Sequence, residues 1–274
     1  MYLSSLMIDT GDNPDRERPG RRWLRDIYHV HQRLSMAFPP KQKESAPSPF
    51  LFRIDNQIDD NAPRAVILVQ SPILPDWEKA FENVAGIFLA SPAAVREYAP
   101  SFAPDEQLRF RIRMNLSKKG KTARDGTDLC KKGEGVDVRG EPKSQSKRVA
   151  VTWNGDEGET ADAAIRQWFA TKGEHAGFAV GTDFELVHLG WVTGHKPGTP
   201  ENRLRFRSAL LEGELTVADG PAFMQSVESG LGSAKGFGFG LLSVAHVREQ
   251  AGRPHHNLQA RRPHHKRGEA DADA

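Results

Sequence analysis

The sequence predicts an α+β protein in two units, and three observations carry that reading. Elements follow one another as βαββαβ over the first 115 residues. Arginines alternate with apolar residues at 108–114, and a second mixed succession follows a long basic stretch. With 274 residues, the chain is long enough for two small domains, each with its own core.

Residues 2–9 mix apolar and small side chains and read as a strand, and the charged stretch from Asp12 to Arg22 reads as a loop. Asp26 can cap a helix whose apolar residues Ile27, Val30, Leu34 and Phe38 recur every three or four positions, and Pro39-Pro40 stops it. Phe50 to Ile54 and Ala65 to Gln70 read as strands, and residues 80–98 as one helix or two short ones broken near Pro92. In the strand that follows, Leu108, Phe110, Ile112 and Met114 alternate with Arg109, Arg111 and Arg113, giving one apolar and one basic face. Taken as the last strand of the first unit, it completes the split βαβ order of a ferredoxin-like domain.

From Ser117 to Arg148 periodicity vanishes, and ten Lys and Arg stand against five Asp and Glu, which reads as a basic loop. Beyond it come an apolar stretch at 149–153, a helix near 161–171 and strands within 178–193 and 204–217. A helix at 221–229 and a strand at 237–244 complete the second unit. The expected division is therefore 1–115, a connector at 116–147, and 148–245. The tail at 246–274 holds five of the ten His and no aromatic residue, and is expected to be disordered.

Composition excludes several classes. A hydrophobic fraction of 38% with mean hydropathy of −0.58 agrees with much solvated length. The single cysteine, Cys130, rules out an intramolecular disulfide and a cysteine-based zinc site, in keeping with a reducing cytoplasm. The start lacks a signal-peptide pattern, and the apolar runs 65–69 and 84–90 are far short of the roughly 20 residues that cross a bilayer. A net charge of +2 says little by itself, because the distribution of charge decides what binds.

Two segments could do chemistry. Tyr28 and His31 stand three apart on the first helix, so their side chains share a face, and imidazole exchanges protons near neutral pH. The same pair also suits an ordinary packed face of a helix. The second segment, Gly230 to Gly240, sets Gly230, Gly232, Gly236, Gly238 and Gly240 around Lys235, so backbone N–H groups could approach a phosphate beside a positive charge. A dinucleotide fingerprint fits poorly, because these glycines follow a helix and precede a strand, with three residues between Gly232 and Gly236. A turn without a ligand remains open.

Charge supplies a third signal, as the arginines at 109, 111 and 113 run into Lys118, Lys119, Lys121 and Arg124, a stripe suited to an RNA backbone or simply to solvent. The His pairs 255–256 and 264–265 lack the spacing of a built metal site, so no metal and no cofactor is expected.

Four stretches together resemble the CasE family, the repeat-RNA endoribonuclease subunit of type I-E CRISPR Cascade complexes. They are Met1-Tyr-Leu-Ser4; Arg25-Asp-Ile-Tyr-His-Val-His-Gln-Arg-Leu34 with Ala37-Phe-Pro39; Val66-Ile-Leu-Val-Gln-Ser-Pro72 with Pro75-Asp-Trp77; and Gly230 to Ser243. The likeness spans about residues 1–245 and excludes the tail. It implies two tandem ferredoxin-like (RRM-like) domains, binding of a CRISPR repeat hairpin, cleavage at its 3′ base to leave a 2′,3′-cyclic phosphate, and retention with the other Cascade subunits. It also implies that His31 is the catalytic histidine, Tyr28 its partner and Gly230–Gly240 the family's glycine-rich loop. Some members carry Arg directly after the histidine, where this chain has Gln32 and then Arg33.

The residues agree with that chemistry. RNA carries its own nucleophile, the 2′-OH, so an enzyme needs only to align it, move protons and stabilise charge. His31 is the best candidate for proton transfer, Tyr28 could orient the 2′-OH or assist the transfer, and Arg25 or Lys235 could stabilise the phosphorane. Arg109, Arg111, Arg113, Lys118, Lys119 and Lys121 are the expected contacts to the stem, whose A-form shape and phosphates such residues sense. The competing reading is a noncatalytic RNA-binding subunit, since fold does not fix function.

Overall fold

Strand β1 (Tyr2–Asp9) buries Ser4, Leu6 and Ile8 and leaves the residues between them partly exposed, the period of two that a strand requires. The computed structural model describes residues 1–11, 13, 18–40, 48–56, 64–120, 131–136, 142–145, 147–150, 161–181, 184–198 and 203–247, with backbone alone over 118–150. β1 lies inside a four-stranded antiparallel sheet with β2 (Leu51–Asn56), β3 (Arg64–Ser71) and β4 (Ala94–Glu97), in the order β2-β3-β1-β4. Register is set by Tyr2 opposite Ser71 on one side and Glu97 on the other.

The charged stretch expected to be a loop ends in a short helix, α1 (Pro19–Leu24), with proline in its first turn, where a missing N–H costs nothing. Helix α2 (Ile27–Ser35) starts where expected: the Asp26 carboxylate accepts from the N–H groups of Tyr28 and His29, and Ile27, Val30 and Leu34 are buried. These three join Leu6, Ile8, Phe52, Ile67 and Val69 in one core, closed by Phe38 and Trp77. The segment read as helix over 80–98 divides into α3 (Trp77–Ala80), α4 (Ala85–Phe88) and the strand β4.

β4 corrects the first unit. The arginine strand β5 (Gln107–Asn115) is not the fourth strand of the first sheet; Ala94–Glu97 is, and β5 opens the second sheet. All four residues of β4 are exposed, so the element carries no alternation to read, whereas β5 would show the same pattern in either sheet. The two sheets therefore divide between Glu97 and Gln107 rather than at 115.

The second sheet combines β5 with β10 (Phe178–Val180), β11 (Glu185–His195), β12 (Arg203–Val217) and β13 (Ser243–His246), in the order β10-β12-β5-β13 with β11 also paired to β12. With helices α5 (Ala161–His175) and α6 (Gly220–Ser229), and with β10 and β11 counted as one interrupted strand along β12, the chain order is again βαββαβ, and both sheets have the spatial order of a ferredoxin-like fold. Its core joins Leu108, Phe110, Ile112 and Met114 of β5 to Phe169 of α5 and Phe223 and Val227 of α6. In the connector, read as a basic loop, backbone pairing forms two short ribbons. β6 (Ser117–Gly120) pairs with β9 (Lys147–Ala150), and β7 (Lys131–Val136) with β8 (Pro142–Gln145). Lys121, Arg124, Cys130 and the tail from 248 onward, with both His pairs, lie outside the described residues.

The halves are joined by side chains from both. Val192 and Phe206 of the β11–β12 hairpin pack against the first core. Arg53 of β2, only 3% exposed, grips Asp55 through two hydrogen bonds of 2.7 and 2.9 Å and donates to the carbonyls of Arg111 and Leu241 and to Ser243 Oγ. A buried guanidinium satisfied across both sheets fixes their relative position.

Candidate active site

Helix α2 and the glycine-rich segment meet at His31. Its ring lies between Phe50 and Phe237, 5.6 Å from each ring centre, at 29° to the first and 53° to the second. Phe50 precedes β2, and Phe237 ends a 3-10 turn, Lys235–Phe237, so one aromatic wall comes from each half. Ser35, one turn on, donates to the His31 carbonyl at 2.7 Å, and its Oγ stands 3.5 Å from Nε2.

The glycine-rich segment divides its glycines between two tasks. Gly240, at φ +81°, passes so close to Leu231 that a Cβ would lie 2.3 Å from its carbonyl oxygen, while Leu231 N–H donates to the Gly240 carbonyl at 2.9 Å. Gly230, Gly232 and Gly238 likewise have positive φ and shape the loop. Gly236 faces the ring: a Cβ there would lie 3.5 Å from His31 Cε1. Lys235 is half-buried, and that burial pushes its pKa below the usual lysine value.

Tyr28 sits one turn before His31 on the same helix, half-buried, where Gly194 of β11 comes so close that a Cβ on it would lie 2.9 Å from the Tyr28 backbone nitrogen. Asp26 binds that turn to the hairpin, accepting the His195 N–H with both oxygens at 3.2 Å, while His195 Nδ1 and His29 Nδ1 approach it at 3.4 and 3.7 Å. Partial burial works to raise the Asp26 pKa. Backbone donation from His195 and His29, the charge of His29 and the Tyr28 N–H outweigh it and hold the carboxyl below the usual aspartate value.

The expected basic stripe is divided. Arg113 donates to the Ile54 carbonyl at 2.9 Å, and its burial disfavours its charge, with Asp55 opposing that effect. Arg111 is paired with Glu212 and lies 3.7 Å from Asp55. Both arginines therefore bind the halves together. Only Arg109 is exposed, in a groove of about 1490 Å³ that also holds Glu185, Glu212 and Glu214 and does not reach His31. Lys118 and Lys119 lie on β6, on the described backbone only.

Arg25 is exposed just before α2. It lines a cleft of about 690 Å³ between α2 and the β11–β12 hairpin, with Arg21, Arg113, Trp191, Phe237 and Gly238. The sequence reading missed the hairpin's own cations, Arg203, Arg205 and Arg207, although they alternate with Leu204 and Phe206 as the arginines of β5 alternate with their apolar neighbours. It also missed Arg53, Ser35 and the aromatic walls, which only acquire meaning through contacts distant in sequence.

Comparison with known proteins gives one answer. A family model described as CRISPR associated protein matches residues 1–246. The CRISPR-associated endoribonuclease Cse3 of Thermus thermophilus is 28% identical over 246 residues, 89% of this chain and all of that protein. The Cascade subunit CasE of Escherichia coli K12 is 24% identical over 257 residues, 89% of this chain and 99% of its own. Among solved structures, CRISPR endoribonuclease Cse3 bound to a 19 nt RNA superposes with a TM-score of 0.63 at 25% identity, covering 89% of this chain and 100% of that one. No helix among the described residues is long and apolar enough to cross a membrane. With a family model matching from the first residue through His246, and the tandem ferredoxin-like fold that goes with it, the chain belongs to the CRISPR-associated protein family, on its CasE branch.

Proposed function

We propose that this protein is a metal-independent endoribonuclease that binds the hairpin of a CRISPR repeat RNA, cuts at its 3′ base and stays on the product as a Cascade subunit. The observation that carries the reading is His31 itself, a proton-carrying side chain clamped between Phe50 and Phe237 with Gly236 facing its ring. Its relatives' names, an endoribonuclease and a Cascade subunit, support it.

In this mechanism the RNA supplies the attacking group. The 2′-OH upstream of the scissile phosphate loses its proton and attacks the phosphorus in line, the P–O5′ bond breaks, and the departing 5′-oxygen takes up a proton. The upstream fragment ends in a 2′,3′-cyclic phosphate. His31 exchanges one of these protons, and Tyr28, a turn away, orients the 2′-OH. Lys235 and Arg25 stabilise the extra negative charge of the phosphorane.

The test is incubation of purified protein with its cognate repeat RNA, with and without excess EDTA, alongside RNA carrying one 2′-deoxy nucleotide just upstream of the cut. The reading requires cleavage in EDTA, a cyclic end lighter by one water than a linear phosphate, and no cleavage of the deoxy substrate. Cutting of the deoxy RNA, or arrest by EDTA, overturns it.

A further inference from the structure

The cleft between α2 and the β11–β12 hairpin has a one-sided chemistry. Among the described residues, Arg21, Arg25 and Arg113 line it and no Asp or Glu does. Its outer wall is Trp191, 56% exposed, an unusual position for the largest side chain. The Arg205 guanidinium lies 4.0 Å from the centre of the Trp191 ring, and among the described residues no other ring or cation stacks on it. Phe237 and Gly238 form the inner wall, and Phe237 is the ring against His31. The cleft and His31 therefore share one wall, the Phe237 ring.

Inside a stem the π faces of each base are covered by the bases stacked above and below it, so an exposed indole finds a free base face at an unstacked, unpaired nucleotide or at the end of the stem. A guanidinium behind the indole and arginines along the cleft supply what the phosphates of an unpaired strand need. We infer that this cleft is a subsite for an unpaired nucleotide flanking the repeat hairpin, its base stacked on Trp191 and its phosphate facing Arg25. The inference rests on the reading above and extends it: the substrate is a hairpin together with an adjoining single-stranded residue.

Affinity measured by fluorescence anisotropy tests this, with two RNAs made uncleavable by 2′-deoxy substitution: the repeat hairpin alone, and the hairpin with its unpaired flanks. Trp191→Ala should weaken binding of the flanked RNA by about tenfold or more, the scale of one lost base–aromatic stack, and leave the bare hairpin unchanged. Trp191→Phe, which keeps a π face, should restore most of the loss. Abasic substitution at one flanking position should mimic Trp191→Ala and add nothing to it. Equal weakening of both RNAs, or of neither, overturns the subsite, as does an abasic scan without effect. Wild-type protein that neither binds nor cuts any repeat hairpin overturns the proposed function instead, so the two failures are distinct.

Discussion

The carboxylate of Asp26 holds the backbone N–H of His195, 169 residues further along the chain, at 3.2 Å from each oxygen. The same carboxylate caps α2, so the turn that carries Tyr28 is fixed to the second sheet by one side chain. Asp26→Ser should preserve the cap but be too short to reach His195. It should lose less stability than Asp26→Ala, for which an N-cap loss of about 0.5–2 kcal/mol is expected, yet lose cleavage nearly as much. Asp26→Asn retains both acceptor roles and should cleave normally at neutral pH, since its pairs with the exposed His29 and His195 are worth little. Melting and single-turnover cleavage, measured together, decide this.

Acid should open the same contact. Because the folded state holds the Asp26 carboxyl below its unfolded value of about 3.9, its stabilisation is fully present above that pH and is lost as pH falls through the lower folded value. Thermal midpoints measured from neutral pH downward should show a steeper acid loss for wild type than for Asp26→Asn. Identical curves would refute the linkage.

His31→Ala should lower cleavage by roughly 10²–10⁴-fold, the usual worth of a general acid–base group, while hairpin affinity is kept. A variant that binds and cuts at the wild-type rate would remove His31 from the mechanism.

Gly236 and Gly240 should respond to alanine in opposite ways. At Gly240 the left-handed backbone and a Cβ 2.3 Å from the Leu231 carbonyl oxygen leave no room, so Gly240→Ala should cost at least about 1–3 kcal/mol of stability. At Gly236 the new methyl meets His31 at an ordinary contact distance, so Gly236→Ala should melt like wild type but cleave more slowly. Equal melting of the two variants would contradict this division of labour.

Lys235 should trade stability for activity. Burial lowers its pKa in the folded state, so its charge opposes folding at neutral pH, and this cost fades as pH rises through the lowered value. Lys235→Met should therefore melt no lower than wild type while cleaving about 10²-fold more slowly, as for one lost charge-stabilising donor. A stability loss with unchanged cleavage would reverse the assignment.

Local pattern determined much of this protein. The cap at Asp26, the spacing of Ile27, Val30 and Leu34 and the alternation in β5 specified their elements because each depends on residues a few positions apart, whereas the strand expected at 237–244 is a 3-10 turn at its start and pairs only from Ser243. The same spacing put Tyr28 and His31 on one face of a helix. Tertiary structure decided which sheet receives β5, since a strand's pattern records that one face is buried and not by which partner. It also decided the fate of the arginines: 109, 111 and 113 look alike in sequence, yet the first is exposed while the other two are held by Glu212, Asp55 and Ile54. Above all, it assembled the site, because the contact of Phe50 and Phe237 with His31, and of Trp191 with Arg205 beside Arg25, depends on distant segments closing on one another. Such closure is fixed by packing and by the buried Arg53 between the sheets, and no local periodicity encodes it.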